Sequence, residues 1–198
     1  MSSILKVDEI QDTSGNNIIN ENAGTITIGK SGDTVNLASG ATNNLGITEA
    51  DQWRLTANIT NTTGDITTNL ERIDNTISGI IGSGVTESSG IFSFPSTGIW
   101  YINVSASQTS TNVGDNNFYL KGTDDNFSTE FDLIRLDGDN SNGSSANWVS
   151  SGNTIIDVTD TANIKVKMYI NQTSTGAILM GSTGFNRTSI TFIRLGDT

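Results

Sequence analysis

Short runs of strict alternation between apolar and polar residues recur along this chain, separated by turns rich in glycine. Residues 90–106, GIFSFPSTGIWYINVSA, carry the strongest pattern. Phe92 and Phe94 alternate, Pro95 to Gly98 makes a turn, and Trp100, Ile102, Val104 and Ala106 then share one face of a strand. Residues 162–170, ANIKVKMYI, set Ile164, Val166, Met168 and Ile170 inward and Lys165, Lys167 and Tyr169 outward. The closing TSITFIRLG opposes Ile190 and Phe192 to Thr191, Ile193 and Leu195. A further strand is predicted around Trp53, in ADQWRLTANIT. A period of two means strand, because successive side chains point to opposite faces of the pleat.

The outward positions are not uniformly polar. Ile99 and Tyr101 lie on the second face of one strand, and Ile193 and Leu195 on the second face of another. An antiparallel strand with one wet face alternates cleanly. Apolar residues on both faces therefore predict that the second face is covered by another subunit, and these four are the candidate subunit-interface residues. A few exposed apolar side chains are also ordinary on any soluble protein. One segment is ambiguous. In TTNLERIDNTISGII, Leu70, Ile73, Ile77, Ile80 and Ile81 fall at helical spacing, and Thr67 with Glu71 resembles a helix cap.

Aromatic residues mark a boundary. All 3 Trp, 3 Tyr and 7 Phe lie at or after Trp53. The leader without them still shows pattern: GTITIG places Ile26 and Ile28 on one face, and DTVNLASG does the same with Val35 and Leu37. Gly24, Gly32 and Gly40 punctuate it, so short strands joined by glycine turns are predicted. Segments this small do not close a core alone. Their apolar face needs sister chains in an intertwined stalk, or the surface of a larger assembly. The predicted division is residues 1–46 as anchor and stalk and residues 47–198 as head.

Composition narrows the chemistry. The chain has 198 residues, no His, no Cys and a formal net charge of −11. Nucleophilic triads and dyads that need His or Cys are excluded. So are zinc sites built on those ligands, and disulfide frameworks. Ten Lys and Arg against 21 Asp and Glu argue against a nucleic-acid partner. Charged residues are only 16%; polarity comes from Ser, Thr, Asn and Gly, which favour turns. No apolar run approaches the ~18 residues of a membrane span, so no membrane insertion is expected. The start, MSSILKVDEIQD, lacks the apolar run of a secretory signal, so synthesis and folding in a cytosol are expected.

Residues 137–143, DGDNSNG, place oxygen donors at Asp137, Asp139 and Ser141, as in the first half of a calcium loop. Asn142 stands where that loop needs a sharp-turn glycine and Trp148 where it needs a bidentate glutamate. A solvated acidic loop is the expected reading and no cofactor is assigned, with calcium at Asp137 and Asp139 the alternative. Asp124, Asp125, Glu130 and Asp132 add negative charge nearby. Carboxylate pairs are the only catalytic chemistry the composition leaves, and 21 acids make some close pairs inevitable. No catalytic residue is assigned and no enzyme is expected.

Residues 90–106 also resemble the strand pair of complement-type globular heads, in which an aromatic strand leads through a Pro–Gly turn into a Gly-aliphatic-aromatic-aromatic strand. TGFNRTSITFIRLGD resembles the closing strands of the same fold. That fold is the tumour-necrosis-factor-like jelly roll, whose subunits form compact trimers around a threefold axis. The resemblance covers about residues 47–198 and implies an all-β jelly-roll sandwich, a homotrimer, and strand and loop over residues 70–81. The N-terminal SSILKVDEIQDTSGNNIINENAGTITIG separately resembles virion structural proteins of tailed, marine-type bacteriophages, where a short anchor precedes a variable head. The combination implies a trimeric fibre or surface appendage of a virion, made in the host cytoplasm. Its N-terminal segment docks onto other virion proteins, and its head contacts a glycan or protein of the host surface. The short leader keeps a second role open, a capsid decoration, cement or collar protein that stabilises the particle. Receptor contacts are expected on the loops at residues 122–126 and 137–147, since binding residues concentrate on loops.

Overall fold

A computed structural model describes residues 9–11, 13–14, 17–22, 25–29, 31–35 and 46–198. The chain separates into two compact units, residues 1–43 and 44–198.

The first unit contains an antiparallel meander of β1 (Glu9–Gln11), β2 (Asn17–Asn22) and β3 (Thr25–Ile28). Ile10 pairs with Ile19, and Ile19 with Ile28, so three isoleucines form one row across the sheet. The row is exposed, at 42%, 39% and 57%, and Ile26 beside it at 67%. The predicted strand at GTITIG is present; of the one predicted at DTVNLASG only residues 33–35 are among the described residues, and residues 36–40 lie outside them. Gly29 and Gly32 both take left-handed φ (78° and 95°) and turn the chain after Ile28, and residues 33–35 have no ladder. Leu37, Gly24 and Gly40 lie outside the described residues.

The second unit is a sandwich of antiparallel strands. Its first sheet holds β4 (Ala50–Leu55), β5 (Ile59–Thr60), β7 (Leu70–Arg72), β10 (Gly98–Ser110), β14 (Ala146–Val158), β16 (Ile178–Leu179) and β17 (Ser189–Gly196). Its order is β5-β16-β10-β17-β4-β7, with β14 on the other side of β10. The second sheet holds β6 (Thr63–Asp65), β8 (Thr86–Ser88), β9 (Ile91–Ser93), β11 (Gly114–Thr123), β12 (Phe131–Leu136), β13 (Asp139–Asn140) and β15 (Lys165–Gln172). Its order is β12-β11-β15-β9-β8, with β13 added to β11 and β6 to β15. This is the all-β jelly roll expected. The chain crosses between sheets at successive long strands, so neighbours in the sheets are distant in sequence.

Apolar alternation sets this arrangement. Along β10 every second residue from Gly98 is buried and the intervening ones are half-exposed. Trp100, Ile102 and Val104 have no exposed area, nor do Ile190, Phe192, Val166, Met168 and Ile170. Aromatic rings from four strands and the turn after β9 knit the centre. Phe92 lies 5.7 Å from Trp53 and 5.4 Å from Phe192, and Phe94 lies 5.0 Å from Trp100. Edge-to-face and tilted contacts of this kind add about 0.5–1.5 kcal/mol each beyond area burial.

The segment with helical spacing is strand and loop. Leu70 and Arg72 pair with Leu55 and Trp53 in β4, and Ile81 is pinned back on Ala50 by two backbone hydrogen bonds of 2.9 and 3.0 Å. A helix there needs a surface on which to bury its stripe. The edge of β4 offers a hydrogen-bond ladder instead. Ile77, in the loop that follows, is 96% exposed.

Candidate interaction surface

The solvent side of the first sheet carries an apolar row. Tyr101 stands between Ile155 of β14 and Ile193 of β17, Ile193 pairs with Ala50 of β4, and Ala50 bridges to Ile81. Residues directly opposite in antiparallel strands share a face. Their sequence neighbours Ile102, Phe192 and Asp51 are buried between the sheets, so this row points away from the core. The result is a continuous line, Ile81–Ala50–Ile193–Tyr101–Ile155. Its ends are the most open, Ile81 at 48% and Ile155 at 61%.

Two of the four candidate interface residues, Tyr101 and Ile193, are thus direct cross-strand neighbours. Ile99 continues the same face of β10, opposite Asp157 and Gly196. Leu195 sits off the ladder. Arg194 pairs with Trp100 and Gly196 with Ile99, so Leu195 is the extra residue of a bulge, 52% exposed. Ile155 and Ile81 were not predicted. In NTIIDV the adjacent isoleucines give no alternation to choose between them. Ile81 follows an Ile–Gly stretch with no strand signal of its own.

The adjoining row of the same face is polar. It is Gln52–Thr191–Asn103–Asn153, in which Gln52 Nε2 donates to Thr191 Oγ1 at 2.7 Å. Beyond it, Arg54 is 2% exposed, donating to Glu71 and Asp74. Its Nη1 has no hydrogen-bond partner.

The outer side of the second sheet is a network of charges and rings. Tyr119 and Tyr169 meet edge to face at 5.8 Å, with Lys121 Nζ 4.5 Å from the Tyr169 ring. Lys167, expected outward, is on that side but only 7% exposed. Strand β6 brings Asp65 within 2.8 Å of its Nζ, Glu130 accepts a second hydrogen bond from it, and the Phe127 ring lies 4.6 Å away. Burial pulls the Lys167 ammonium down, but its hydrogen bonds to Asp65 and Glu130 together outweigh this and leave it above the ordinary lysine value. The hydrogen bond from Lys167, opposed by partial burial, holds the Glu130 carboxyl below its ordinary value.

Both loops expected to carry contacts are internally tied. Asp125 accepts from the Thr129 N–H, the Thr129 hydroxyl and the Thr123 hydroxyl, each at 2.8 Å, which keeps its carboxyl below the usual range. In the DGDNSNG loop, Asp137 is held by Arg135, Asp139 faces Asp115 across the β11–β13 ladder, and Ser141 is exposed. Asn140 turns inward to donate to the carbonyls of Ser110 and Ser144. Among the described residues, no group of three or more Asp or Glu is placed to hold a metal ion.

No family model and no curated protein sequence matches the chain. Solved structures do: 206 chains match. Murine APRIL, solved at pH 5.0, aligns with 11% identity and a TM-score of 0.52, over 74% of this chain and 98% of APRIL. The Eiger TNF of S. frugiperda aligns with 11% identity and a TM-score of 0.54, over 75% of this chain and 93% of Eiger. At this identity the likeness is one of fold, and the fold is the tumour-necrosis-factor-like jelly roll.

Proposed function

We propose that this chain is a homotrimeric, non-enzymatic structural protein of a bacteriophage particle, a fibre or surface appendage whose head contacts the host cell. The observation that carries the reading is the apolar row across four strands and the Ile81 bridge on the solvent side of the first sheet. Such a face is costly to leave in water, and a second copy of the same chain covers it. Ile99, Tyr101, Ile193 and Leu195 then lie at or beside the subunit contact, joined by Ile81 and Ile155. The exposed isoleucine row of the leader sheet supports an anchoring role for the N-terminal unit, by docking onto other virion proteins. The resemblance of that segment to phage virion proteins points the same way. Threefold display multiplies weak single-site contacts with a host glycan or protein through effective concentration.

Light scattering on the purified chain at micromolar concentration is expected to give the mass of three chains; a monomer overturns the reading. Tyr101→Asp is expected to shift the population toward monomer with the fold retained. Purified trimer is expected to block phage adsorption. The decoration reading makes a different prediction, a copy number comparable to the major capsid protein on a gel of purified particles and no effect on adsorption.

A further inference from the structure

The outer side of the second sheet carries a row of its own. Arg135 of β12, Tyr119 of β11, Tyr169 of β15 and Asp65 of β6 stand directly opposite one another across four strands. Their sequence neighbours Ile134, Leu120, Met168 and Ile66 are buried between the sheets, so the row faces solvent. It crosses three strand gaps of ~4.8 Å, about 14 Å in all. The two tyrosines at its centre are half-buried, with their rings edge to face at 79°. Such a pair offers ring carbon with polar tips.

The charges beside the rings are already matched. Lys121, over the Tyr169 ring, pairs with Glu130 at 3.2 Å and Asp132 at 3.6 Å. Lys167 pairs with Asp65 at 2.8 Å and with Glu130, and Arg135 pairs with Asp137. Three cations thus face four carboxylates. An anionic ligand has to displace these partners and meets a surplus of negative charge. A hydroxyl group donates and accepts at once, so it fits among them without displacing a charge. Thr63 and Asn171, opposite each other in the next row, extend this chemistry, with Thr63 Oγ1 donating to Asn171 Oδ1 at 3.2 Å.

We infer that this row binds a neutral saccharide, whose C–H face lies on the Tyr119–Tyr169 pair and whose hydroxyls meet Asp65, Lys121 and Arg135. The ligand class follows from ring carbon at the centre, matched donors and acceptors around it, and no spare cation for a phosphate or carboxylate. A protein interface has an apolar core, and no aliphatic side chain stands in this row. The row lies on the sheet opposite the apolar one, so subunits that join through the first sheet leave it free, and a trimer displays it three times. This placement rests on the reading that the head contacts the host cell, and it gives that contact a position and a ligand class.

The full-length chain, labelled, is applied to an array of neutral hexose, N-acetylhexosamine and deoxyhexose oligomers beside uronate- and phosphate-bearing ones. Binding is expected on neutral members and not on acidic ones. Tyr169→Leu keeps an apolar side chain on the sheet but removes the ring, and is expected to weaken binding at least about tenfold. Tyr169→Phe keeps the ring and is expected to retain most of it. Tyr119→Leu reads the same site if Tyr169→Leu fails to fold. Binding confined to acidic glycans, no binding to any neutral one, or neutral binding that the leucine variants retain overturns the saccharide row. If the trimer blocks phage adsorption and the leucine variants block it equally, the host contact stands and lies elsewhere on the head. If the trimer neither blocks adsorption nor binds any glycan, both readings fall.

Discussion

Asp51 exposes none of its side chain, yet it carries a carboxylate between the two sheets. Arg72 donates to it from Nε and Nη2 at 3.0 Å, Trp53 Nε1 donates at 2.9 Å and the Val85 N–H at 3.0 Å. Its position opposite Phe192 in the ladder reads as apolar by alternation. Nothing in ADQWRL announces that the partner is an arginine from another strand. Removing Asp51 takes the acceptor from the Trp53 indole and the Val85 N–H and the partner from Arg72, whose own side chain is 36% exposed. Asp51→Ala is therefore expected to cost about 3 kcal/mol in urea unfolding, mostly from the two donors left unsatisfied, whereas Asp137→Ala, which breaks an exposed pair with Arg135, should leave the midpoint unchanged. Lys167 and Glu130 predict the pH profile. Glu130 titrates lower in the fold than its ordinary 4.5, so its contribution is present above that value and is lost as pH falls through the lower folded value. Lys167 titrates higher than its ordinary 10.5, so its contribution is present below that value and is lost as pH rises through the higher one. Stability is expected to hold between these limits and fall outside them. Lys167→Met should weaken both limbs without removing them, because Lys121 stays raised and Asp125 and Asp160 stay low, and Glu130→Gln likewise leaves part of the acid limb.

The β8–β9 hairpin turns through Ser89 and Gly90, both with left-handed φ of 52° and 87°. That pair of angles defines the two-residue turn whose twist matches antiparallel strands. A Cβ on Gly90 meets the backbone carbonyl of Ile66 as well as the unfavourable φ. Gly90→Ala is expected to lower the unfolding free energy by more than ~1 kcal/mol, and Gly90→Asn, which tolerates this φ better, should still suffer from the contact. Strands announced themselves where one face is fully dry: β9, β10, β15 and β17 were legible because Phe92, Trp100, Met168 and Phe192 recur with period two among polar residues. Strand β14 was not, although it is 13 residues long. Its inner positions include Ser150, Gly152 and Thr154, small or polar side chains that let β12 approach. Alternation of polar with polar carries no signal. The apolar row shows the same limit. Tyr101 and Ile193 broke the pattern of otherwise clear strands, but Ile81 and Ile155 took meaning only from a register that pairs residues far apart in sequence.

At the scale of the molecule, the buried core residues of the second unit fall between Leu55 and Phe192, so that unit has a hydrophobic core drawn from its own strands. A chain beginning at residue 46 is expected to fold with an unchanged far-ultraviolet spectrum. Its melting should reveal how much stability comes from assembly. Three folded chains in equilibrium with three unfolded ones make the midpoint depend on concentration by mass action. Each tenfold dilution removes two-thirds of RT ln 10 per chain, about 0.9 kcal/mol, which for a domain of this size lowers the midpoint by about 2–4 °C. Tyr101→Asp is expected to melt at one temperature whatever its concentration, near the value that the unaltered chain approaches at high dilution. Convergence of the two curves would place the loss in assembly, since Tyr101 points away from the core and its replacement leaves the buried aromatic cluster intact. If instead the variant melts lower than the diluted parent, the outward face contributes to the fold of the single subunit. If the parent itself shows no dependence on concentration, the apolar row is not what holds copies of this chain together.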